Sequence, residues 1–81
     1  MGNIVLLEQE EDIRLAAVIV ARNRNIILKV YQDYNEYKNH MEKDDTVCSS
    51  NEVECKEHNF IYVKKPYTAS ELMQVINREN D

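Results

Sequence analysis

Several protein classes are excluded by what this chain has little of. One glycine and one proline in 81 residues do not make a collagen-like or linker-like chain. The single glycine, Gly2, leaves no Gly-rich phosphate loop to draw. No apolar run approaches the roughly 18 residues of a membrane span. The run Ile4–Leu7 is too short for a secretory signal and is followed at once by acids, so no leader is expected. Positive charge is scarce: ten Lys and Arg face fifteen Asp and Glu, for a net charge of −5. A nucleic-acid binder would need a basic patch against the phosphates.

The two cysteines, Cys48 and Cys55, read as reduced, partly buried thiols of a cytoplasmic protein. Zinc ligands come in close pairs. Cys55 and His58 have that spacing, but Cys48 and His40 lack near partners, so no metal site is expected. Cys55 and His58 also fit an ordinary helix surface, and no hydrolase signature stands out. Met1-Gly2-Asn3 is like the start of a myristoylation signal, but Leu6 stands where Ser or Thr is needed.

The rest is an ordinary globular balance, 43% hydrophobic and 31% charged. Residues 1–81 make one small domain, and at this size folding hides only about 60% of the unfolded chain's surface. Ile4-Val5-Leu6-Leu7 predicts a central strand covered on both faces. Glu8 to Asp12 put acids at the start of a helix over 13–22, with Ile13, Ala16, Ala17 and Val20 on one face. Val18 and Ile19 widen that stripe, so the helix is expected to be deeply buried or to meet a partner. Asn23-Arg24-Asn25 closes it. A second strand is predicted over 26–31, with Lys29 facing solvent. Asp33 and Glu36 have capping-box spacing, and Tyr34, Tyr37 and Met41 share a face of the helix they open. Lys43-Asp44-Asp45 reads as a solvated break. A short strand follows over 46–50, then a weak helix over 51–58 with Asn59 as its cap, then a strand over 60–63. Thr68 and Glu71 form a second capping box before a helix whose apolar face is Leu72, Val75 and Ile76 and whose end, residues 77–81, frays. Strands alternating with helices predict an α/β fold with a mainly parallel sheet of about four strands flanked by helices.

Two stretches together resemble the receiver domain of bacterial response regulators. The first is Ile4-Val5-Leu6-Leu7-Glu8-Gln9-Glu10-Glu11-Asp12-Ile13-Arg14; the second is Tyr62-Val63-Lys64-Lys65-Pro66-Tyr67-Thr68-Ala69-Ser70-Glu71-Leu72. The resemblance implies a flavodoxin-like fold, with Lys65 on the lysine that contacts the phosphoryl group and Tyr62 on the switch aromatic. It also implies a cis bond before Pro66 and Ser49 or Ser50 near the family's Ser/Thr. One strand and one helix of the family pattern are missing, on the order of thirty residues, among them the strand that ends in the phosphorylated aspartate. Gln9 stands for one of the two magnesium acids, leaving Glu8 and Glu10 as a vestigial pocket. Removing the third strand of the order 2-1-3-4-5 lets the next strand pair directly with the first, with the first and last helices on one face. The other face is then thin and open to dimerisation or a partner.

These residues predict no catalysis and no cofactor, magnesium being poorly served. The expected function is that of a phosphorylation-independent pseudo-receiver, a signalling module that binds a kinase, another regulator or itself through Tyr62, Lys64, Tyr67 and the segment 52–58. One alternative is a small acidic, antitoxin-like inhibitor that presents residues 8–12 to a basic partner surface. Another is a residual magnesium-dependent phosphoacceptor built from Asp44 or Asp45 with Glu8, Glu10 and Lys65.

Overall fold

The computed structural model describes residues 2–80, with side chains through Arg78. In chain order the elements are β1 (Ile4–Leu7), α1 (Glu11–Asn23), β2 (Leu28–Tyr31), α2 (Tyr34–Tyr37), β3 (Thr46–Ser49), α3 (Glu52–His58), β4 (Ile61–Tyr62) and α4 (Ala69–Asn80). The sheet order is β2-β1-β3-β4 and every pairing is parallel. Ile4 lies opposite Leu28 on one side and Thr46 on the other. This is a small flavodoxin-like arrangement of four strands, in which β3 pairs directly with β1.

Alternation along β1 builds the two faces. Leu6 points to one face, where it meets Ala17 and Ala21 of α1, Leu72, Met73 and Ile76 of α4, and Leu28, Cys48 and Val63. Val5 and Leu7 point to the other, where the buried residues are Val47 and Tyr37, flanked by Tyr31, Tyr34 and Phe60. Each fully buried Val, Leu, Ile or Met contributes about 1.5–3 kcal/mol, so the α1–α4 face, with six such buried residues among those described against three and Tyr37 opposite, carries most of the apolar stabilisation. The alanines allow α1 to lie close against the sheet and α4. Ile19 and Ala16 do not share that face: Ile19 is 61% exposed and Ala16 is exposed. The buried line of α1 runs instead through Ala17 and Ala21, beside the partly buried Val20.

Two strands start later than their apolar residues suggest, for one shared reason. Asn25 has φ 61°, and the Ile26 N–H donates to the Ala21 carbonyl at 2.9 Å while that of Asn25 donates to Arg22. This is a Schellman closure, in which the apolar residue after the left-handed one packs back on the helix. Asn59 does the same with φ 59°, and the Phe60 N–H donates to the Cys55 carbonyl. Ile26 and Phe60 therefore finish helices, and the strands begin after them.

The helix starts follow their caps. The Asp33 carboxylate accepts from the Glu36 N–H at 3.0 Å, and the Asn51 side chain accepts from the Glu54 N–H at 3.1 Å. Thr68 and Glu71 cap each other's N–H groups at 3.1 and 3.2 Å, the full reciprocal box. The second helix is a single turn, so Met41 falls beyond it and is exposed. The polar end of α4 does not stop at Asn77 but continues as helix through Asn80; Met1 and Asp81 lie outside the described residues. The Lys65–Pro66 peptide bond is cis. No helix among the described residues is long and apolar enough to cross a membrane.

Candidate functional site

In an open parallel sheet, ligands sit beyond the carboxyl ends of the strands, where the strand order reverses. Here that place lies between β1 and β3, since the chain moves from β1 outward to β2 and then returns to β3 on the other side. A cleft of about 260 Å³ opens there, lined by Leu7, Gln9, Gln32, Asp33, Ser49, Ser50, Asn51, Glu54 and Lys65.

The buried acid of this edge is Glu8, only 1% exposed. Its Oε2 accepts from Lys65 Nζ at 2.7 Å and from the Glu10 N–H at 3.0 Å, and its Oε1 accepts from the Tyr67 hydroxyl. Lys65 also reaches Glu10 at 3.0 Å. Arg14 holds the loop beneath by donating to the carbonyls of Glu8 and Gln9 at 2.6 and 2.9 Å. Burial alone would raise the Glu8 pKa; the Lys65 ammonium, the Tyr67 hydroxyl and the Glu10 amide outweigh it and hold the carboxyl below 4.5. Hydrogen bonding to Glu8, then to Glu10, holds the Lys65 ammonium above 10.5. Burial, with the Glu8 carboxylate beside it, pushes the Tyr67 phenol well above its ordinary value.

This geometry does not suit a divalent cation. Both Glu8 oxygens are engaged by protein donors, Lys65 already brings a positive charge to Glu8 and Glu10, and Gln9 is neutral. Hard cations need several free oxygen ligands, and no three His, Cys, Asp or Glu side chains converge into a metal-holding group among the described residues. The Cys48, Cys55, His58 and His40 set does not assemble either. Cys55 donates its thiol to the Ser49 carbonyl at 3.4 Å, His58 stacks on Tyr34 at 4.0 Å between ring centres, and His40 stacks on Tyr31.

Asp44 and Asp45 precede β3, whereas Glu8 and Lys65 follow β1 and β4. The two groups lie at opposite edges of the sheet, and a strand of four residues separates its ends by roughly 13 Å. A phosphoacceptor combining them is therefore not assembled. Nor is Asp45 part of a solvated break. Its carboxylate accepts from the Asn3 N–H at 3.0 Å, the Tyr37 hydroxyl at 2.6 Å and the Glu42 N–H at 2.9 Å. Burial raises its pKa less than these donors, Tyr37 foremost, lower it below 3.8. Gly2 belongs to this clasp: a Cβ there would come within 1.6 Å of the Asp44 carbonyl oxygen.

The other sequence candidates are divided. Ser50 is half-buried and lines the cleft with Lys65. Ser49, its neighbour, is buried; its hydroxyl oxygen accepts from the Asn51 N–H at 3.1 Å and donates to Glu54 at 3.4 Å. Tyr62 is 43% exposed on the edge strand, and Lys64 is exposed. Tyr67 is turned inward on Glu8, so its hydroxyl is not available to a partner. In the acidic run 8–12, Glu8 is buried and Glu10 is paired with Lys65, which leaves Glu11 and Asp12 as its open carboxylates. Gln32, Asp33, Asn51 and Glu54 also line the cleft, although no motif marks them as cleft residues. The available signal was position: each follows the carboxyl end of a strand in a parallel sheet.

Comparison with family models, with curated proteins and with solved structures finds no match to this chain.

Proposed function

We propose that this chain is a receiver-like domain that takes no phosphate and acts as a protein-interaction module in signalling. The observation that carries the reading is the placement of Lys65 between Glu8 and Glu10, at 2.7 and 3.0 Å. In the family it resembles, that lysine meets an incoming phosphoryl group. Here its charge is spent inside the chain. Asp33 and Glu54 add negative charge to the same cleft, so an anion approaching it is repelled rather than drawn in. Phosphoryl transfer relies on positioned positive charge and a carboxylate nucleophile, and the acid that ends β1 is buried and saturated. The face left for partners is that of α3 and β4, with Tyr62, Lys64 and the exposed Val53. β4 is a short edge strand beside a lysine, a form that limits indiscriminate strand pairing.

The test is an amide NMR spectrum of the chain titrated with magnesium and beryllofluoride, a phosphoryl mimic. Resonances of Glu8, Ser50 and Lys65 are expected to stay in place, and acetyl phosphate is expected to add no mass. A magnesium-dependent mass gain, or shifts focused on the cleft, overturns the reading.

A further inference from the structure

The outer side of α1 carries a pattern that the fold does not use. Asp12, Leu15, Ile19 and Arg22 recur at spacings of three, four and three, which places them on one stripe of a helix. That stripe faces away from the core: Leu15 is 55% and Ile19 61% exposed, and Asp12 and Arg22 are exposed. Ile27, 85% exposed, extends the apolar surface beyond the end of the helix, beside Val18, Arg22 and Ile26. Neither Asp12 nor Arg22 pairs with another charge among the described residues. Large aliphatics grouped on a surface mark an interaction site more often than singly scattered ones do.

We infer that this stripe is a self-association surface on which two copies of the chain pack antiparallel through α1. The partner is identified by symmetry. Read from either end, the stripe runs charge, apolar, apolar, charge, with the acid at one end and the base at the other. A twofold axis beside residue 17 sets each Asp12 against the other copy's Arg22 and each Leu15 against its Ile19. An isologous contact requires this kind of self-complementary patch. Parallel packing would instead set like charges side by side, so the pattern selects the antiparallel arrangement. The exposed Ala16 beside the stripe lets the two helices come close. Interface size sets the strength. A helix of 13 residues is about 20 Å long, and one helix pair covers less than the ~800 Å² per partner of a standard stable interface. The dimer is therefore weak and concentration-dependent. The inference is independent of the receiver reading, because it uses no residue of the cleft.

Sedimentation equilibrium of the full chain from about 10 µM to about 1 mM spans the range of weak association. The average mass is expected to climb toward twice that of the chain. Ile19→Glu is expected to abolish the climb, with an unchanged circular dichroism spectrum because the side chain is exposed. Asp12→Arg and Arg22→Asp are each expected to weaken association about tenfold, since symmetry turns both attractive pairs repulsive. An equimolar mixture of these two variants is expected to associate better than either alone, because each introduced charge then faces its opposite in the other copy. A chain that stays monomeric throughout, association that Ile19→Glu leaves intact, or a mixture no better than its components overturns the proposal.

Discussion

The two edges of the sheet hold the same two groups, a carboxylate and a tyrosine hydroxyl, and put them to different use. At the carboxyl edge a fully buried Glu8 meets Tyr67 and the partly exposed ammonium of Lys65. At the amino edge Asp45 meets Tyr37 and only neutral donors, the Asn3 and Glu42 N–H groups and the Asn3 side chain, with part of the residue open to solvent. The first is an ion pair that ties β1 to the segment between β4 and α4. The second is a clasp that ties the start of β1 to α2 and β3. A buried carboxylate without its counter-ion is costly, whereas a half-exposed one can turn to water. The carboxyl edge is therefore the brittle one.

Lys65→Met should have the largest effect. Breaking a fully buried pair costs about 3–5 kcal/mol; because Lys65 is 39% exposed, solvent screening reduces the expected loss to about 2–4 kcal/mol. Urea unfolding at pH 7 measures it. Adding Glu8→Gln should recover much of the loss, and an unchanged midpoint in the double variant would contradict the pairing.

Asp45→Ala comes next, at about 1–2 kcal/mol, because it frees several donors that water can partly satisfy. If it costs as much as Lys65→Met, the contrast between the edges fails.

The hydroxyls divide the same way. Tyr67→Phe should cost about 1–2 kcal/mol, since it removes the donor to a buried oxygen of Glu8, and Tyr37→Phe about 0.5–1, since Asp45 keeps its amide donors. Thermal melts of the two variants side by side make the comparison.

The smallest expected difference lies in the pH dependence of unfolding. Both carboxyls have folded pKa values below their unfolded ones, 4.5 for Glu8 and 3.8 for Asp45. The stability they contribute is present in full above those values and is lost as pH falls through the lowered ones. Lys65 is raised above 10.5, so its contribution is complete below that pH and is lost as pH rises through the raised value. The cost of Lys65→Met should therefore shrink at both extremes, whereas that of Asp45→Ala should shrink with acid without the lysine's part of the alkaline change. Urea midpoints at pH 3, 7 and 11 test this.

Sequence by itself determined the alternation of elements and the fold class, whereas the pairing of β1 with β3 was implied only by the resemblance to receiver domains and is shown by the sheet. Apolar runs, caps and left-handed asparagines are local signals, and strands alternating with helices lead to a parallel sheet. The same signals misplaced the starts of β2 and β4, because an apolar residue after a helix serves its closure and a strand equally well until the hydrogen bonds choose. Glu8 and Lys65 stood out in the sequence as residue types at suggestive places. That they hold each other, that Tyr67 turns inward to join them, and that Asp45 sits at the opposite edge were decided only by the tertiary structure. These are contacts between distant parts of the chain, and no local propensity encodes which acid a lysine meets once the sheet has brought the strand ends together.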